Sequence, residues 1–299
     1  MRAIGRSGAW LASAAAQSLL LVTAVSADEP PAPVPVALTT AAPLPALPIA
    51  AAAALAGAQR IAATPPAPAA LPRIAIIIDD LGYRSTEGFR AARLPGPVAV
   101  AILPHTTYAA ALAREADSLG KEIVLHVPMQ AVEAAEVLGP GALEGGQTRA
   151  ELARVLADDL AAVPLARAVS NHMGSSLTRE REPMRWLMEE LRSRGSLLFI
   201  DSYTTADSVA LEVARDVGVP ALRRDVFLDG AVSPEAIEHE WRRLVARAHE
   251  RGFALGIGHP HAATLELLER VLPDLASTGV ELVSLATLLR AERAATEAR

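Results

Sequence analysis

Arg73-Ile74-Ala75-Ile76-Ile77-Ile78-Asp79-Asp80 is the stretch on which the fold turns. After the arginine it is apolar without alternation and of strand length, which fits a strand covered on both faces. It runs directly into two carboxylates, residues disfavoured inside strands. The same grammar recurs downstream. Strands are expected over 98–103, 122–126, 168–172, 197–201, near 220–224, over 253–258 and over 280–283. Between them lie helix-compatible segments at 85–93, 108–119, 148–162, 182–194, 206–217, 233–251, 262–272 and 285–293. Thr148 with Glu151 fits a capping box, and Ser233 before Pro234 fits a helix start. Residues 129–147 read as a Gly/Pro-bearing loop. Seven or eight strand–helix units in succession imply a parallel sheet with helices outside. Their number and length favour closure into a barrel over an open sheet.

The residues before this region read differently. Arg2 and Arg6, the apolar stretch 9–25 and the small residues Val25-Ser26-Ala27 have the layout of a secretory signal peptide over 1–27. Residues 28–72 hold eleven prolines among alanines and read as an extended, disordered linker. The expected organisation is therefore leader 1–27, linker 28–72 and a barrel domain over 73–293. An exported chain, periplasmic or at the cell envelope and with no stable membrane span after processing, follows from the leader. The 299 residues contain no cysteine, which excludes disulfides, iron–sulfur clusters, thiolate zinc sites and cysteine nucleophiles. A net charge of −6 without a long basic block argues against a nucleic-acid partner.

The position of the polar residues points to chemistry. Asp79 and Asp80 end the first strand, His126 the third, Asn171 and His172 the fourth, and Asp201 the fifth. Arg224 and Asp225 follow the sixth, and His259 and His261 follow the strand at 253–258. In a parallel barrel these ends converge on the face where active sites sit. Asp and His without cysteine suit a hard or borderline divalent cation, Zn²⁺ first. Asp80, His126 and His172 can supply three ligands. Two adjacent carboxylates are costly to ionise together unless a cation intervenes, so one can bind metal while Asp79 takes a proton from water. His105, after Pro104, is a candidate for contacting substrate. No P-loop, dinucleotide fingerprint or Gly-x-Ser-x-Gly elbow falls at a strand–helix junction.

Six blocks carry a family resemblance: Ile-Ile-Ile-Asp-Asp-Leu-Gly at 76–82, Leu-His-Val-Pro-Met at 125–129, Ser-Asn-His-Met-Gly-Ser at 170–175, Phe-Ile-Asp-Ser at 199–202, Arg-Asp-Val-Phe-Leu-Asp at 224–229 and Gly-Ile-Gly-His-Pro-His at 256–261. In this order they resemble the divergent polysaccharide deacetylases, a distant branch of the NodB-like carbohydrate esterases. The resemblance implies a distorted (β/α) barrel of seven to eight strands and a metal-dependent hydrolase acting on an N-acetylated glycan of the cell envelope. It implies Asp79 as general base, Asp80 as metal ligand, His126 as the first histidine ligand and His259 as proton donor to the leaving group. The family's second metal histidine falls at Gln130, and its Arg-Pro-Tyr block has no equivalent. His172 is the expected replacement ligand, and Asp201 or Asp225 the acid that keeps His259 protonated. Asn171, Arg224, Asp225, His261 and His105 are expected to contact substrate. The departures keep a second reading open: a non-catalytic barrel that binds envelope glycan or a protein partner. A third, a metal-dependent phosphoesterase, calls for more cationic groups than these blocks offer.

Overall fold

A computed structural model describes residues 71–132, 138–195 and 197–297. The expected leader, and the expected linker up to residue 70, lie outside the described residues. β1 (Arg73–Leu81) begins an alternation with α1 (Ser85–Ala92), β2 (Ala99–Ile102), α2 (Ala109–Ser118), β3 (Ile123–Met129), α3 (Arg149–Ala162), β4 (Ala168–Met173), α4 (Arg181–Ser193), β5 (Leu198–Asp201) and α5 (Ala210–Val217). There follow β6 (Ala221–Arg223), β7 (Val226–Phe227), α6 (Pro234–Arg251), β8 (Phe253–Gly258), α7 (Ala262–Val271), β9 (Glu281–Leu282) and α8 (Leu285–Glu297). Both expected helix starts form: Thr148 and Glu151 make a reciprocal capping box, and Ser233 Oγ accepts from Ala236 N.

The strands are parallel in the order β6-β5-β4-β3-β2-β1-β8-β7, with β9 on the start of β1. β6 and β7 lie at opposite edges, yet only Arg224 and Asp225 separate them in the chain. Two residues cannot cross an open eight-strand sheet, because neighbouring strands stand about 4.8 Å apart. The sheet therefore curls on itself into a distorted (β/α) barrel. The seam is bridged by the chain itself: Arg224 N donates to Asp201 O on one side and Asp225 N to Leu255 O on the other.

Alternation along each strand divides the core. Ile74, Ile76 and Ile78 pack outward beneath the helices, whereas Ala75 and Ile77 pack inside with Ala99, Ala101, Val124, Ile200, Leu255 and Ile257. Small residues on β1 and β2 suit the narrow interior. α8 closes the end from which the strands start. Its Leu285 and Leu288 join the inner cluster, and its first amides donate to the Glu122 carboxylate at the entry to β3.

Two departures from the expected strands matter for the site. β3 runs on through Pro128 to Met129. Proline is tolerated there because the ladder with β2 ends at Leu125, and Leu143, which pairs alongside beyond it, uses only Pro128 O and Gln130 N. The strand expected near 220–224 forms as β6, and a further short strand that the sequence reading did not contain, β7, follows it across the seam.

Candidate active site

The inward parity of the strands carries Asp79, His126, His172 and His259 to the mouth of the barrel, each an even number of residues beyond an inward apolar or small side chain of its own strand. Asp80 breaks that parity. Its φ is +59°, in the left-handed region, and the pairing of β1 with β2 shifts between Ile78 and Leu81. This bulge turns a side chain that strict alternation would send outward into the same mouth as Asp79. Gly82 completes the turn at φ +121°, where a Cβ would stand 2.1 Å from Thr106 Oγ1.

Asp80 Oδ1 lies 3.1 Å from His126 Nε2 and 2.7 Å from His172 Nδ1. Asp80, His126 and His172 offer one ligand atom each, all within 4.8 Å of one another. His126 is buried, and its Nδ1 lies 2.7 Å from Ser170 Oγ; with the proton on Nδ1, Nε2 presents its lone pair to the mouth. The donor set fits a divalent cation with room for further ligands: two imidazoles and one carboxylate, one imidazole oriented by a neighbouring hydroxyl. Asp79 adds an independent sign. It is buried, its Oδ2 is 3.6 Å from His126 Nε2, and its Oδ1 has no hydrogen-bond partner among the described residues. An unpaired buried carboxylate oxygen is costly unless something polar occupies the space before it.

The charges of these groups are set against one another. Burial pushes the Asp79 carboxyl up, aided by Asp80 and opposed by His126. Burial also acts upward on Asp80, but hydrogen bonds and charge from His126 and His172 prevail and hold it far below the usual carboxylate range. Adjacent carboxylates are thus driven apart, one towards the protonated and one towards the ionised form.

His259 stands on the other side of Asp80, its Nε2 3.8 Å from Asp80 Oδ2. Its carboxylate partner is Asp229, not Asp201 or Asp225. Asp229 Oδ1 lies 2.8 Å from His259 Nδ1, while Oδ2 accepts from His259 N at 2.6 Å and Thr264 Oγ1 at 2.8 Å. Burial disfavours the imidazolium, but the hydrogen bond and charge of Asp229, joined by Asp80 and Asp79, push His259 up to about 9. A cleft of about 500 Å³ opens here, lined by Asp80, Tyr83, Asp229, His259 and His261.

The remaining expected residues are distributed around this centre. Arg224 sits with its guanidinium 3.5 Å from the Phe227 ring centre, donates to Ser202 O and Tyr203 O, and lines a neighbouring cleft of about 560 Å³ with His239 and Arg243. Phe227 links the two clefts, its ring centre 5.8 Å from that of His259. Four expected residues are engaged elsewhere. Asp201 accepts from Tyr203 N and Ser208 Oγ. Asp225 sits at the start of β7, pairs with Arg251 and accepts from Leu255 N. Asn171 is buried, donating to Met173 O and accepting from Ser202 N. His105 pairs with Asp159 of α3 at 2.9 Å. Gln130, where the resemblance puts a second histidine, accepts from Gly145 N at 2.8 Å and so pins the 138–147 segment. Asp229 and Ser170 are the partners that sequence reasoning missed. Asp229 was legible in one respect: it follows Phe227 by two residues, so it shares that inward face once β7 is recognised as its own strand.

The chain is similar to several known proteins. Over residues 221 long, 34% are identical to an uncharacterized protein of Haemophilus influenzae, covering 74% of this chain and 78% of that one. The uncharacterized protein YibQ of Escherichia coli K12 is 32% identical over 217 residues, covering 73% and 67%. The crystal structure of an uncharacterized protein from Agrobacterium tumefaciens C58 superposes with a TM-score of 0.71 at 24% identity, covering 74% of this chain and 91% of that one, which is a likeness of fold. The model of the family described as divergent polysaccharide deacetylase matches residues 76–289, from the middle of β1 into α8, and so takes in every residue of the mouth. With the paired aspartates, the histidines and the barrel that presents them all inside that span, the chain belongs to the divergent polysaccharide deacetylase family.

Proposed function

We propose that this chain is an exported, metal-dependent hydrolase that removes acetyl groups from an N-acetylated glycan of the cell envelope. The observation that carries the reading is the grouping of a buried Asp79, whose Oδ1 is unpaired among the described residues, and an Asp229-held His259 around the donor set Asp80, His126 and His172. Those three residues would hold the cation, with Zn²⁺ the best match to two imidazoles and a carboxylate. When bound, it lowers the pKa of water and polarises a carbonyl oxygen.

The chain's own groups then act in sequence. Asp79 takes a proton from water as the water oxygen bonds to the acetamide carbon. His259 gives a proton from Nε2 to the amine nitrogen as the C–N bond breaks, leaving acetate and the free amino sugar. Asp229 holds that imidazole charged and oriented through Nδ1. Tyr83 and His261 border the cleft where the sugar would lie. The leader read at 1–27 supports action outside the cytoplasm.

Acetate release from N-acetylated glucosamine oligomers and from isolated envelope glycan, measured beside metal content, tests the reading. Asp79→Asn should keep the metal and lose turnover by at least about a hundredfold, the scale of a general base. Full turnover by that variant would overturn the assignment. The side chain of Gln130, committed to Gly145 N, favours the second reading of a glycan-binding barrel without catalysis. Retained metal and glycan binding with no acetate released would select it.

A further inference from the structure

We infer that Asp229, His259 and His261 form a second divalent-cation site beside the first, one whose occupation takes His259 out of use. One ligand atom from each lies within 4.8 Å of the others, spacings that a shell with bonds of about 2.1 Å closes by small side-chain rotations. The site is built on both sides. Asp229 is buried and its Oδ2 is anchored by His259 N and Thr264 Oγ1, which leaves Oδ1 as the ligand and fixes its direction. Gly258 keeps the approach tight, since a Cβ there would stand 3.0 Å from Thr264 Cγ2 and 3.4 Å from Asp229 Oδ2. Pro260 separates the two histidines, and His261 precedes the first residue of α7 with a ring centre 6.1 Å from that of His259. The exposed His261 faces the same cleft as Asp80, so a cation reaches it from solvent.

An ion on this set replaces the proton between His259 Nδ1 and Asp229 Oδ1. An imidazole carrying a cation on Nδ1 can give up its Nε2 proton only by becoming an imidazolate, which makes it a poor acid. The second ion therefore blocks proton delivery to the departing amine and makes excess zinc an inhibitor. This consequence rests on the function proposed above; the site does not.

The metal-free chain, titrated with Zn²⁺ by calorimetry and analysed for bound metal by mass spectrometry, tests the inference without any substrate. Two ions per chain are expected, the second weaker, falling to one in His261→Ala and to one in His172→Ala. His261→Asp, which restores a ligand, should recover the second ion. Near-ultraviolet circular dichroism checks that each variant is folded. One ion per chain, lost in His172→Ala and kept in His261→Ala, would overturn the second site and leave the proposed function standing. One ion kept in His172→Ala and lost in His261→Ala would uphold the second site and remove the metal on which the proposed function depends.

Discussion

Ser170 performs no chemistry, yet the lone pair of His126 depends on it. With Oγ 2.7 Å from Nδ1, it can accept the Nδ1 proton in a hydrogen bond, which is the tautomer that leaves Nε2 to a cation. Ser170→Ala should weaken zinc binding at the first site by about 10- to 100-fold, the usual cost of removing a partner behind a metal histidine. A competition titration with a zinc indicator reads the loss, and unchanged affinity would show that another group orients His126. Gln130 gives the opposite case. Its amide oxygen is the acceptor for Gly145 N, so a histidine in its place loses that bond rather than adding a ligand. Gln130→His should leave the zinc stoichiometry unchanged and lower stability by about 1 kcal/mol, read from urea unfolding. An additional ion in that variant would mean that the loop can swing to complete the family pattern.

At the scale of the element, the end of β1 decides whether there is a site at all. Two successive aspartates can face one mouth only because Asp80 adopts φ +59° and the ladder with β2 is broken there. Gly82 makes the return possible at φ +121°, closely packed against Thr106, whose Oγ1 donates to Leu103 O. Gly82→Ala combines a strained backbone with a steric clash. It should cost about 1–3 kcal/mol or more and misplace Asp80, lowering zinc affinity as well as the unfolding midpoint. If stability fell while affinity held, Asp80 would owe its orientation to its histidine partners rather than to the turn. Among the described residues, four of the five non-glycine residues in the left-handed region, Asp80, His105, Met173 and Tyr203, lie at or just beyond the C-terminal ends of β1, β2, β4 and β5. Strain of this kind is retained where function needs it.

For the whole molecule, Asp159 of α3, which His105 ties to the loop after β2, carries a pH dependence of its own. Burial, reinforced by Asp158, pushes the Asp159 carboxyl up to about 8. The folded value thus exceeds the unfolded value of about 3.9, so the native state holds this proton more tightly. Its contribution to stability is complete below about pH 3.9 and is lost as the pH rises through about 8. Asp159→Asn removes the titrating group. The variant should gain on the parent in unfolding free energy as the pH is raised from about 5 to about 9. A constant difference across that range would refute the assignment of the slope to Asp159.

The order of strands and helices was legible because most strands are short apolar runs stopped by polar or turn-forming residues, and α3 and α6 carry their own N-caps. Asp79, His126, His172 and His259 were legible as a group for a similar reason: strand period and parallel direction bring such ends together, and Asp80 was legible only by its place at the same strand end. Local pattern could not say which neighbours they would meet. Asp229 rather than Asp225 holds His259 because the chain crosses the barrel seam between Arg224 and Val226, so Asp225 starts a strand and Asp229 follows its end. Asn171, one residue before His172, faces the opposite side and braces the strand ends. Asp80 escapes that alternation only through a bulge set by its pairing with β2. Periodicity is a property of one strand and can be read along the chain, whereas partner, seam and bulge depend on contacts between strands far apart in sequence.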